Sequence, residues 1–210
     1  MVFNFNTIKT PVYKSLKISS SPLFKYSRAL SQVFFYFFII SLFLVLFSFL
    51  GVISQSTAVK IPTLLLFGFI LFLEIHLFSE LEIKQPKITT SFSQALLNPE
   101  NYNLAEFLSL EACKIVEDTI KKCRQKKFSQ VSSVSLFYSS IMVSKDIQIL
   151  IFRLGIDIEK LKTDLKNYLE KQSRQQKFNL IFSESFQETI VQACKAASQR
   201  GYEVVGEKDI

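Results

Sequence analysis

The stretch SQVFFYFFIISLFLVLFSFLGVISQSTAV, residues 31–59, carries no charge and is crowded with Phe, Leu, Ile and Val. A helix needs about 20 apolar residues to cross a bilayer core, so this run reads as a membrane anchor. A signal peptide cleaved near Ser56-Thr57-Ala58 is the competing reading, but its apolar region would span only about 7–15 residues. The first spanning helix is expected over Val33–Ile53.

A second apolar segment opens at Lys60-Ile61-Pro62, proline being tolerated in the first turn of a helix. Ile61–Phe78 would reach roughly 27 Å at 1.5 Å per residue, enough for a slightly thinned bilayer. Glu74 and His76 interrupt it. At mid-bilayer the pair would make a proton or ion site; in the last turns of a helix they simply reach the headgroup zone, and that is the reading preferred here. A short loop at Ser54–Lys60 then gives a transmembrane hairpin over residues 31–80, returning the chain to the side on which it began.

The net charge of +7 is uneven. Residues 1–30 contain Lys9, Lys14, Lys17, Lys25 and Arg28 and no acid. Such a block before a span places it on the cytoplasmic side and attracts anionic headgroups. No nucleic-acid-binding motif accompanies the charge, so a lipid bilayer is the expected partner and nucleic acid is not.

Residues 81–102 lose periodicity and include Pro86, Asn98, Pro99 and Asn101, the composition of a linker. Beyond them helical periods return. Leu108, Ala112, Val116, Thr119 and Cys123 share one face, with Lys114, Lys121, Lys122 and Arg124 largely off it. Apolar segments Val134–Met142 and Asp146–Leu154 follow. Gly155 suits a helix C-terminal cap and Asp157 an N-cap for a helix striped by Ile158, Leu161, Leu165, Tyr168 and Leu169. A last helix is expected over Ser183–Arg200, closed by Gly201. The fold class is all-α.

An offset of 74 residues lays the last segment on the first helix of this region. Leu108 meets Phe182, Ser109 meets Ser183, Ala112 meets Phe186, Val116 meets Ile190 and Cys123 meets Ala197. Further along, Gln125 meets Gln199, Phe128 meets Tyr202 and Val131 meets Val205. Helix and following loop align without a gap, as an internal repeat requires.

Phe182-Ser183-Glu184, the small residues of Ala193-Cys194-Lys195-Ala196-Ala197, and Gln199-Arg200-Gly201-Tyr202-Glu203-Val204-Val205-Gly206 together resemble the Clp N-terminal repeat. Leu154-Gly155-Ile156-Asp157 and the helix Ile158–Leu169 are similar to that family's "Leu-Gly-Val-Asp" turn and closing helix. The resemblance covers about half of the chain and divides it into a first repeat over 103–172 and a second over 173–210. It implies a substrate- or adaptor-docking domain of a Clp-type AAA+ unfoldase or protease ATPase subunit. It further implies that repeat 2 stops short at Asp209-Ile210, and that the ATPase modules and any contact with Clp protease subunits lie in a missing C-terminal part. In some members a Glu in each repeat's loop holds phosphoarginine; the matching positions here are Val134 and Lys208, which cannot pair a guanidinium. Glu207 and Asp209 flank the second of these and favour the N-terminus of a following helix.

Chemistry is not expected from this chain alone. The five glycines are too dispersed for a phosphate-binding loop. His76 is far in sequence from Cys113, Cys123 and Cys194, so neither a Cys–His nucleophile nor a metal site forms, and no cofactor is expected. The cysteines read as reduced core residues. Glu117-Asp118 are adjacent on a helix surface and do not converge. The expected product is a membrane-anchored, non-catalytic docking module at a bacterial inner membrane, with its N-terminus and soluble domain in the cytoplasm. Its partners would be protein substrates or adaptors, held in a groove between the repeats where apolar helix faces meet. A free-standing two-helix scaffold or sensor with a helical cytosolic domain is the alternative.

Overall fold

The structure is a computed structural model and describes residues 3–51, 54–84 and 91–210. The described residues are helical and contain no strand, in keeping with an all-α class. In chain order the helices are α1 Pro11–Ser20, α2 Pro22–Phe49, α3 Gln55–Lys84, α4 Phe92–Leu97, α5 Leu110–Lys126, α6 Ser133–Val143, α7 Lys145–Arg153, α8 Ile158–Glu170 and α9 Glu184–Gln199. Two compact units arise, one from Ser15–Pro86 and one from Met1–Lys14 together with Lys87–Ile210. The hairpin unit is therefore an insertion within the chain of the globular one.

In the hairpin unit, Ser21 caps α2 by accepting the Phe24 N–H, and Pro22 sits where a missing N–H costs nothing. α2 and α3 run antiparallel. Phe24 stacks on His76 at 5.3 Å, Phe34 on Phe72 at 5.5 Å, and Phe35 meets Phe69 at 5.1 Å. Both helices are long and apolar enough to span a membrane, over Pro22–Phe49 and Ala58–Ile83, with 11% and 6% of their apolar windows buried. The remaining apolar surface faces outward, as lipid requires.

The helices differ from the sequence-based expectation in length and phase. α2 starts eleven residues before Val33, and Ile53 lies outside the described residues. α3 starts at Gln55, so most of the expected loop Ser54–Lys60 is helix, and Pro62 is interior to it, not in its first turn. Thirty residues reach about 45 Å, so no thinning of the bilayer is needed. Glu74 and His76 are not in the last turns either, since α3 continues to Lys84. His76 instead faces the first turns of α2, with Nδ1 3.2 Å from the Ser27 hydroxyl, at the level of the exposed Lys25 and Arg28.

The globular unit is organised by a reciprocal backbone exchange that follows the offset of 74. The Val205 N–H donates to the Phe107 carbonyl at 2.7 Å, and the Ser109 N–H donates to the Val205 carbonyl at 2.8 Å. Adding 74 to the 107–109 pair and subtracting it from Val205 gives the other half. There the Val131 N–H donates to Ile181 O at 2.8 Å, and the Ser183 N–H to Val131 O at 2.9 Å. Each segment thus pairs with the loop of its counterpart, the pattern of a local twofold. Ser109 and Ser183 cap α5 and α9 in the same way, accepting from Ala112 and Phe186 N–H. The hydrogen bond that opens α6 also has a counterpart in the turn at residues 206–209. The Ser132 N–H donates to Ser135 Oγ and the Gly206 N–H to Asp209 Oδ2.

The faces beneath this exchange form the core. Ala112, Val116, Thr119 and Cys123 of α5 and Phe186, Ile190, Ala193 and Ala197 of α9 are buried, as the helical stripes predict. α8 is looser than its stripe suggests: Leu169 is buried but Tyr168 stays 57% exposed.

The two helix ends differ in one informative respect. After α9 the left-handed position is Gly201, φ +78°; after α5 it is Lys127, φ +55°. A side chain in that region costs roughly 1–2 kcal/mol, whereas glycine loses about 0.5–1 kcal/mol more chain entropy on folding. Lys127→Gly is therefore expected to stabilise the globular unit by about 0.5–1 kcal/mol, read as a higher urea midpoint; a lower midpoint would contradict it.

Two segments expected outside the folded domain belong to it. Within the expected linker 81–102, Phe92–Leu97 forms α4, and Phe92 and Ala95 are buried. Phe92 packs on Phe107 at 5.0 Å; Pro86 lies outside the described residues. The first part of the basic segment, residues 3–14, likewise belongs to the globular unit. Phe5, Thr7, Thr10 and Val12 are buried.

Candidate functional site

The sequence points to a groove between the repeats, and the structure has one, with a different character. Ser133 at the start of α6 forms one wall, Ser185, Glu188, Thr189 and Gln192 of α9 the other, and Asp209 the end. Apolar helix faces do not meet there. Those faces, including Val116, Phe186 and Ile190, are spent inside the core at 0% exposure. What remains at the seam is mixed: hydroxyls, an amide and carboxylates stand beside the methyl groups of Ala193 and Ala196.

Asp209 is the fixed charge of this seam. Its side chain is 5% exposed, accepts from the Gly206 N–H at 2.7 Å and meets Arg200 Nη1 at 2.7 Å. Asp209 thereby closes the turn over residues 206–209. The neighbouring Cys194 thiol is pushed up to about 12, first by burial and then by the Asp209 charge. Cys113 is likewise pushed up to about 12 by burial and by Glu117. Burial also raises Cys123. These thiols stay protonated at neutral pH, as expected of core residues.

The positions matching phosphoarginine-holding acids offer no carboxylate. Val134 is half-buried, and Lys208 is tied to Asp146 at 2.8 Å, a bond that raises its pKa. Glu117 and Asp118 diverge. Glu117 accepts the Thr7 hydroxyl, while Asp118 pairs with Lys122 at 2.6 Å. Among the described residues no cluster of His, Cys, Asp and Glu could hold a metal.

Sequence reasoning missed an aromatic strap. Phe5 lies edge-on against Phe182 at 5.4 Å and Phe186 at 5.7 Å, and Phe3 stacks on Phe5 at 5.4 Å. The strap is pinned by a two-way amide bond: the Asn6 N–H donates to Asn103 Oδ1 and Asn103 Nδ2 donates to Asn6 O, each at 2.8 Å. Glu100, Glu184 and Glu188 flank a shallow recess beside Phe3. The signal was present as the alternation Phe3-Asn4-Phe5-Asn6, the period of an extended segment with one face buried.

No family model matches the chain. No curated protein matches it. Among solved structures, a chain described as "Peptide from EAEC T6SS Sci1 SciI protein" is similar at a TM-score of 0.47 and 18% identity, over 49% of this chain and 66% of its own length.

Proposed function

We propose that this chain is a membrane-anchored docking module for protein substrates or adaptors, of the kind that stands before a Clp-type unfoldase, without chemistry of its own. The observation that supports this reading most is the reciprocal exchange at an offset of 74 residues, which makes the globular unit a pair of interlocked repeats. The Clp-like residues lie on these repeats, and the seam left open between them offers hydroxyls, an amide and carboxylates beside two alanines, suited to reading both polar groups and small apolar groups of a peptide. The two apolar helices supply the anchor. The acid-free run of Lys9, Lys14, Lys17, Lys25 and Arg28 favours a cytoplasmic N-terminus and, with two spans, a cytoplasmic docking unit at a bacterial inner membrane.

The test uses the whole chain in lipid nanodiscs and a fluorescent, reduced and carboxymethylated lactalbumin as unfolded ligand. Saturable binding is expected, and Gln192→Trp, which fills the seam, should weaken it at least tenfold. Nanodiscs carrying the protein that bind no more ligand than empty ones would sink the proposal in favour of a free-standing scaffold.

A further inference from the structure

A second recess lies away from the seam, between α5, α6 and α8. Its volume is about 260 Å³. Phe128, Leu169 and the ring of Tyr138 give it apolar walls, and Lys122, Lys126 and Lys166 stand at its margin. Phe128 and Leu169 are 4% and 5% exposed, so their side chains are fixed by the core and the recess is preformed. Ser139 also lines it, and its buried hydroxyl has no hydrogen-bond partner among the described residues.

The charges around it select the ligand. Lys122 is engaged by Asp118 at 2.6 Å and leans over Tyr138, its Nζ 5.2 Å from the ring centre. Glu170 on the lining offsets one of the two remaining lysines. Three cations against two carboxylates leave a surplus of one, which suits a monoanion better than a phosphate dianion. Lysine's point charge, unlike arginine's planar fork, also does not demand a bidentate partner. The Cys123 thiol on the floor adds no competing negative charge, because burial keeps it protonated. The volume falls below the roughly 300 Å³ at which pockets for drug-sized ligands begin. It suits a single apolar side chain together with its carboxylate.

We propose that this recess binds the free C-terminal carboxylate of a peptide ending in an apolar residue, with Lys126 and Lys166 holding the charge and Phe128, Leu169 and Tyr138 enclosing the side chain. The choice of a peptide over a free acid rests on the docking function proposed above. The structure thereby offers two separate protein contacts, the seam between the repeats and an end-reading pocket.

The full chain in nanodiscs is titrated against a fluorescein-labelled hexapeptide, Gly-Ser-Gly-Ser-Ala-Leu, with a free or an amidated C-terminus. The free acid should bind at least tenfold more tightly than the amide. Lys126→Gln combined with Lys166→Gln, both on the surface, should erase that difference. Equal binding of acid and amide, or a preference that survives in the double variant, would overturn the assignment. So would binding of 4-methylpentanoate with no binding of the peptide, which would mark a free-acid site. Carboxymethylated lactalbumin separates the two proposals. If it binds the wild-type chain while acid and amide peptides bind alike, the pocket assignment falls and the docking function stands.

Discussion

Phe186→Ala is expected to destabilise the globular unit by about 3–5 kcal/mol, the cost of emptying a fully buried aromatic site. Phe186 is 0% exposed and stacks on Phe182 at 4.8 Å, while Phe5 from the N-terminal strap meets it edge-on. Truncation therefore opens a cavity where three chain segments converge: the strap, the lead-in to α9 and α9 itself. Partial collapse is restricted because Phe182 and Phe5 are held by the backbone exchange and by the Asn6–Asn103 pair. The three cysteines provide a selective readout. All are buried, and all lie in the globular unit, so thiol labelling against urea follows that unit without interference from the hairpin. The labelling midpoint should fall sharply. A loss under 1 kcal/mol would mean that the strap and α9 do not share one core.

Gly68→Leu is expected to pry the two long helices apart, at about 1–3 kcal/mol for overpacking. A Cβ placed on Gly68 would lie 2.6 and 2.7 Å from two ring carbons of Phe34. Phe34 cannot swing away without losing its stack on Phe72. Close approach at a small residue is the usual device by which helices associate in lipid, where apolar burial offers no driving force. Disulfide formation between cysteines placed at Phe35 and Phe69, whose rings lie 5.1 Å apart, reports the change in native membranes. Cross-linking should slow about fivefold or more, in line with that energy. Phe34→Ala in the Gly68→Leu background should restore it by making room. Unchanged cross-linking in Gly68→Leu alone would show that the ring contact does not set the spacing.

These two sites differ in how far they could be read beforehand. Phe186 lies on the stripe that the offset of 74 picks out, so its burial followed from helical period. Its partner Phe5 did not follow, because in a chain with 22 Phe residues any single one carries little weight. Gly68 likewise announced nothing, since a glycine in an apolar run becomes meaningful only once Phe34 is known to face it. The seam shows the same limit from another side. The apolar stripes were read as core and are core, but apolar faces were also expected to line the groove between the repeats, where the reciprocal pairing leaves serines, a threonine, Gln192 and acids beside only two alanines.

The amino-acid sequence by itself determined the helical class, two helices capable of spanning a bilayer, the cap at Asp157, and the equivalence of two segments 74 residues apart. Each of these is a local property, set by apolar run length, by a period of 3.6 residues or by one side chain bonding a nearby N–H. Only the tertiary structure decided that residues 3–12 belong to the globular unit, that the two equivalent segments exchange partners, and that three lysines ring an apolar recess. Those arrangements depend on which distant surfaces meet. Backbone groups left unpaired at Phe107, Val131, Ile181 and Val205 had to find partners somewhere, and the chain alone does not say where.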